Sequence, residues 1–179
     1  LPARNAARLD PVVALSREGG TQLYSINLAT LQATRITNTS GIDTEPAFSP
    51  DGQWLYFTSD RGGSPQIYRM PAHGGGAQRI SFDGNYNVTA RPSPDGRTLA
   101  FITRRDGGFR VATLDLATRQ VTVLTDSQRD ESPTFAPSGQ MILYATILGG
   151  RGVLAAVSAD GQIRQKLSAV NGDAREPAW

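Results

Sequence analysis

Apolar residues along this 179-residue chain fall in short runs, separated by turns rich in glycine and proline, and the runs read as β-strands. The stretch 45–88 is the clearest. Residues 46–49 predict a short first strand. Pro50-Asp51-Gly52 predicts a turn, because Pro presets φ and Asp-Gly supplies a side-chain acceptor and a residue tolerant of positive φ. Residues 54–58 (WLYFT) are apolar almost throughout, which fits a second strand packed on both faces. Residues 60–65 read as a loop. A third strand over 66–70 alternates apolar and polar, as expected for a strand further from the core. His73-Gly74-Gly75-Gly76 is the next turn, 78–81 a short outer strand, and 82–87 a crossing segment.

The same grammar recurs. The next unit predicts strands at 98–103, 110–114 and 121–124, and the one after it at 141–146, 153–158 and 164–167. Punctuation repeats as well: EPAFSPDG (45–52) returns as TARPSPDG (89–96), SPTFAPSG (132–139) and a shortened EPAW (176–179). Pro50 and Pro94 are 44 residues apart, Pro94 and Pro137 are 43 apart, and Pro133 and Pro177 are 44 apart. A period of this length built from short strands is the signature of a β-propeller, one blade per repeat.

The predicted fold is therefore all-β, a propeller of four-stranded antiparallel blades. Its units run approximately 1–44, 45–88, 89–131 and 132–175, with 176–179 a terminal strand. The first unit is irregular. Residues 12–16 match 100–104, but NAARLD stands where the proline turn belongs. Four units suggest part of a larger ring, whose open edges would invite association.

Composition narrows the chemistry. With no cysteine, the chain has no disulfide, no cysteine nucleophile and no thiolate metal site. Its net charge of +2 comes from arginines scattered among acidic residues, with Lys166 the sole lysine, which is a poor nucleic-acid signature. No apolar run reaches the length of a membrane-spanning helix. The single histidine, His73, reads as a surface turn residue. G-x-S-x-G, Walker, G-x-G-x-x-G and H-E-x-x-H patterns are all missing, so an enzyme active site has little support. Asp51 and Asp95 read as turn residues; the third copy carries Ser138 instead.

More informative are the polar residues ahead of each first strand: Asp43-Thr44-Glu45, Asn85-Tyr86-Asn87, Asp130-Glu131-Ser132 and Asp173-Ala174-Arg175-Glu176. In a propeller, equivalent positions ring one mouth of the central channel. The expected result is a polar, acid-rich rim, used for binding or simply to solvate strand ends. No cofactor is expected, and Ca²⁺ held by the rim carboxylates is a minor alternative.

Several stretches resemble the TolB family of periplasmic β-propellers of the bacterial Tol-Pal system: TSDRGGSPQIY, GNYN, DESPTFAP and REPAW, within a match over nearly all of the chain from about residue 12. That resemblance implies the C-terminal part of a six-bladed propeller, here without the family's N-terminal α/β domain and first blades. It implies a non-catalytic protein that binds the lipoprotein Pal, contacts TolA through the N-terminal region, supports outer-membrane integrity and cell division, and is exploited by colicins. Pal docks on the face bearing the loops that lead into the inner strands. Carried over by position, the partner-binding residues are Thr44, Glu45, Tyr86, Asn87, Asp130, Glu131, Arg175 and Glu176. Glu45 and Tyr86 are expected to dominate, with Glu45→Arg weakening binding without loss of thermal stability. The competing reading is the regulatory propeller of a prolyl oligopeptidase-like serine peptidase, separated from its hydrolase domain.

Overall fold

The computed structural model describes residues 10–17, 20–167 and 175–177; among them all regular structure is strand. The first sheet contains β1 (Val12–Arg17), β2 (Gly20–Ile26) and β3 (Ala33–Arg35). The second contains β4 (Asp43–Phe48), β5 (Trp54–Ser59), β6 (Gln66–Pro71) and β7 (Gln78–Arg79). The third contains β8 (Asn87–Pro92), β9 (Thr98–Arg105), β10 (Gly108–Asp115) and β11 (Val121–Val123). The fourth contains β12 (Glu131–Phe135), β13 (Met141–Leu148), β14 (Arg151–Ser158) and β15 (Arg164–Lys166). Each sheet is an antiparallel meander in chain order, and we call them blades 1 to 4. Among the described residues blade 1 has no strand inside β1. The expected terminal strand at 176–179 is described only at Glu176 and Pro177, which are not in a strand; its remainder lies outside the described residues.

The core lies between blades. One apolar cluster joins Leu23 of blade 1 to Leu55, Phe57, Tyr68 and Met70 of blade 2. Another joins Tyr56 and Ile67 to Leu99, Phe101 and Leu114 of blade 3. The last joins Ile102 and Val111 to Phe135, Ile142 and Val157 of blade 4. Successive side chains of a strand point to opposite faces, so one strand feeds two clusters: Tyr56 faces blade 3 while Leu55 and Phe57 face blade 1. This explains the near-continuous apolar run in β5. It also corrects the expectation for β6, where Gln66, Ile67, Tyr68 and Met70 are all buried because both faces are covered.

The inner strands β4, β8 and β12 lie side by side, and each begins earlier than the hydrophobic pattern suggests. Their register breaks once, between Thr44 and Ala47, between Val88 and Arg91, and between Glu131 and Thr134. Two residues of the inner strand face one of its neighbour there, which is a β-bulge. The first residue of each bulge is left-handed: Glu45 at φ 55°, Thr89 at 58° and Ser132 at 53°; Glu176 repeats the feature at 50°. Such a φ is uncommon outside glycine and exceptional for a β-branched threonine. The polar residues ahead of the bulge look like loop in the sequence, but they belong to the strand.

Candidate partner-docking face

The bulges fix which residues are equivalent. Asp43, Asn87 and Asp130 stand two residues before the left-handed position, and Thr44, Val88 and Glu131 one residue before it. Tyr86 is thus equivalent to Ile42 and Arg129. The sequence motifs GNYN and DTEP, aligned by eye, are out of step by two positions.

Asp43, Asn87 and Asp130 are 0%, 1% and 3% exposed, so they lie beneath the rim. Asp43 accepts hydrogen bonds from Arg61 at 2.8 Å and from the Thr39 hydroxyl at 3.2 Å. The Arg61 guanidinium also sits 5.1 Å over the Phe57 ring and 5.0 Å over that of Tyr68. Asn87 donates to Gln66 Oε1 at 2.8 Å and to the Asp83 carbonyl at 2.9 Å. Asp130 Oδ2 accepts from the Thr125 and Ser127 hydroxyls and, at 3.4 Å, from Val111 N. Each residue ties its inner strand to the segment arriving from the preceding blade. A buried carboxylate or amide must be satisfied in this way, because stranding it costs on the order of kilocalories per mole. Burial, with the Asp130 carboxylate second, pushes the Tyr144 hydroxyl up to about 12, so it stays neutral.

Glu45 engages both of its carboxylate oxygens. Its Oε2 accepts from the Thr58 hydroxyl at 2.7 Å and from Thr89 N at 3.0 Å, and its Oε1 from the Thr89 hydroxyl at 2.6 Å. Two left-handed residues of neighbouring blades are thereby joined side chain to backbone. Arg91 lies close by; burial pulls its guanidinium below the usual range, and the Glu45 carboxylate opposes that shift. The expectation that Glu45→Arg leaves stability intact does not fit this geometry, since the substitution removes an inter-blade brace.

Above these anchors, blades 2 and 3 leave a groove of about 240 Å³. Ile42, Thr44 and Glu45 form one wall; Tyr86 and Val88 form the other, with Pro65 between them. Its lining is largely apolar, and Ile42 is 50% exposed. Tyr86 is half-buried and stands edge-on to Phe109, ring centroids 5.4 Å apart. Of the predicted residues, the structure gathers Thr44, Glu45 and Tyr86 here. Glu131, Arg175 and Glu176 are exposed but do not line this groove, and Asp173 and Ala174 lie outside the described residues. Sequence reasoning missed Ile42, Pro65 and Val88; the bulge-based register identifies Ile42 and Val88 as the counterparts of Tyr86 and Thr44. The rim is less acidic than expected, since the exposed positions include Arg104 and Arg129. Among the described residues no three His, Asp or Glu side chains gather as a metal site would need. His73 is exposed in the turn after β6, as expected.

Antiparallel meander blades packed face to face, with their inner strands side by side, define a β-propeller. The family model of the TolB β-propeller domain matches residues 5–179, and the chain belongs to that family. It is 52% identical over 145 residues to the Tol-Pal system protein TolB of Bordetella pertussis, a match covering 81% of this chain and 33% of that protein. It is 58% identical over 115 residues to the same-named protein of Nitrosospira multiformis, covering 63% and 26%. The crystal structure of TolB from Acinetobacter baumannii superposes with a TM-score of 0.87 at 45% identity, over 94% of this chain and 42% of that one. The chain thus spans about a third of the length of the Bordetella relative. A puromycin-hydrolysing peptidase of Mycobacterium tuberculosis also superposes, with a TM-score of 0.68 at 15% identity; this is a likeness of fold alone.

Proposed function

We propose that this chain is the docking part of a non-catalytic periplasmic propeller of the Tol-Pal system, and that its rim binds the lipoprotein Pal. The supporting observation is the groove between blades 2 and 3, where a half-buried tyrosine and an exposed isoleucine stand over a floor tied by hydrogen bonds of Asp43, Glu45 and the Asn87 amide nitrogen. Tyrosine and apolar side chains at the centre of a patch, ringed by polar groups, are what protein interfaces use. A floor locked by Asp43, Glu45 and Asn87 keeps the groove preformed, so little ordering entropy is lost on docking. Thr44, Glu131, Arg175 and Glu176 are exposed or half-buried along the rim and serve as its outer contacts. Binding there supports outer-membrane integrity and division, and gives colicins a surface to exploit.

Calorimetric titration of the chain with the soluble domain of Pal tests this reading. A saturable one-to-one heat is expected, and Tyr86→Ala should weaken it about tenfold or more, equivalent to about 1.4 kcal/mol. A folded chain that gives no heat, or Tyr86→Ala with unchanged affinity, would overturn it.

A further inference from the structure

At the opposite end of the blades, where the proline turns lie, blades 3 and 4 leave a second and larger groove of about 510 Å³, within the size range of ligand sites. The bulge register and strand pairing explain why it is open. On the face of blade 3 that looks toward blade 4, Thr98 and Thr113 occupy the positions held in blade 2 by Trp54 and Arg69. Those two blade 2 residues stack, with the guanidinium 4.3 Å over the indole, and they fill the corresponding space between blades 2 and 3. Blade 3 has two small hydroxyl side chains instead.

What remains around the vacant space is anionic. Asp95 and Asp115 are the charged residues lining it, and no arginine or lysine does. Arg97 stands beside Asp95 but is exposed and outside the lining. Each carboxylate binds its own turn through Oδ1: Asp95 accepts from Ser93 and Arg97 N, and Asp115 from Ala117 N and Thr118 N. Those bonds hold both carboxyls below the usual range, so both are ionised at neutral pH. Phe135 forms part of the floor, and Thr113 is only 7% exposed, with a hydroxyl that no described residue engages. The related groove between blades 1 and 2 is not equivalent in charge, because Arg35 and His73 line it alongside Asp10.

We infer that the blade 3–4 groove is a docking site for a basic peptide, receiving an arginine side chain in the space that Arg69 fills one blade earlier. The site is separate from the rim groove and does not rest on Pal binding there. The guanidinium lies between the Asp95 and Asp115 carboxylates, and an aromatic neighbour on the peptide takes the place of Trp54. Blade 2 is the chain's own example of the occupied state.

The probe is N-acetyl-Trp-Arg-amide, titrated into the full chain while backbone amide resonances are followed by NMR. Saturable shifts are expected at Thr113, Thr122 and Ser138. The citrulline analogue, which keeps the shape and loses the charge, should bind about tenfold more weakly or worse. Thr98→Trp with Thr113→Arg copies the blade 2 filling and should abolish the shifts, while its calorimetric titration with Pal stays as in the parent. Asp115→Asn provides a variant that folds independently of that repacking: Asn27 caps the equivalent turn in blade 1, accepting from Ala29 N and Thr30 N at 3.0 and 2.9 Å. It should weaken the arginine peptide and leave the citrulline peptide unaffected. Equal affinity for the two peptides, shifts that avoid this groove, or binding that survives both variants would overturn the proposal.

Discussion

The junction between blades 2 and 3 and the junction between blades 3 and 4 share one backbone and differ in their side chains. Both carry a left-handed bulge at the mouth end of the inner strand, with φ of 58° at Thr89 and 53° at Ser132. At the first junction Glu45 bridges to Thr58 and Thr89, and at the far end Trp54 and Arg69 close the space. At the second, Thr89 stands in the place of Glu45 and Ser132 in the place of Thr89. Ile102, the counterpart of Thr58, is 3% exposed and has no hydroxyl to offer. The far end is open. The repeat therefore conserves the backbone device, while each junction is free to be sealed or left available. A sealed junction lends rigidity to the rim groove above it; an open one leaves room for a ligand.

The sharpest way to break this contrast is to remove the brace. Glu45→Ala takes away the acceptor for three hydrogen bonds, two of them from Thr89. Hydrogen bonds to a charged group are the stronger ones, and the half-buried site discounts them only in part, so a loss of about 2 kcal/mol is expected in urea denaturation. A variant as stable as the parent would mean that apolar packing alone holds blades 2 and 3 together. In the same variant, residual Pal affinity measured below the melting transition separates a structural role for Glu45 from direct contact.

Much of this architecture is legible in the sequence, because turns and burial write themselves locally. The proline turns, the strand order and the doubly covered β5 all follow from residue type and spacing. The bulges do not. Thr89-Ala90 carries no glycine or asparagine to announce a left-handed residue, and the positive φ is imposed by neighbouring strands and by the Glu45 carboxylate 44 positions earlier. That is why GNYN and DTEP appear aligned when they are two residues out of step, and why Asn87 and Asp130 look like rim contacts although they are buried. The Arg61 clamp was hidden for the same reason: its partners Asp43, Phe57 and Tyr68 come from three different strands. The Ser158-Ala159-Asp160-Gly161 turn is legible from its Ser-x-Asp-Gly residues, although it sits in an outer hairpin and lacks the proline. Its Ser158 hydroxyl and Asp160 carboxylate bond as those of Ser49 and Asp51 do.

A single substitution made in two blades sharpens the contrast. Thr58→Val removes a hydroxyl that donates to Glu45 at 2.7 Å and accepts from Thr89 N at 3.1 Å. Thr103→Val removes one that is buried and unpartnered. The change of shape is the same at both threonines, although Thr103 matches Ser59 and not Thr58 in the repeat, so the comparison sets a bonded hydroxyl against an unbonded one. Thr58→Val should cost about 1 kcal/mol, and Thr103→Val should be neutral or stabilising by up to about 1 kcal/mol. Equal effects in parallel denaturation curves would place the origin in packing and not in the brace.

The smallest expected effect lies at the proline turns. In two of them, and in the proline-free turn at 158–161, a serine hydroxyl bonds the aspartate two residues on: Ser49 to Asp51, Ser93 to Asp95 and Ser158 to Asp160. That bond, then the backbone N–H two residues beyond the carboxylate, holds each carboxyl below its ordinary value of 3.8. Such a group takes up a proton less readily folded than unfolded. Its contribution is therefore complete above the unfolded value and is lost as pH falls through the folded one. The blade 4 turn has the same backbone, with Gly139 at φ 74° against 69° for Gly52, but carries Ala136 and Ser138 and has no titrating group. Ala136→Ser with Ser138→Asp restores the pattern. The double variant should be slightly more stable than the parent at pH 7, and its advantage should start to shrink as pH falls below about 3.9 and be gone once the folded carboxyl is itself protonated. A gain that persists unchanged in acid would show that the aspartate acts through turn geometry and not through its charge.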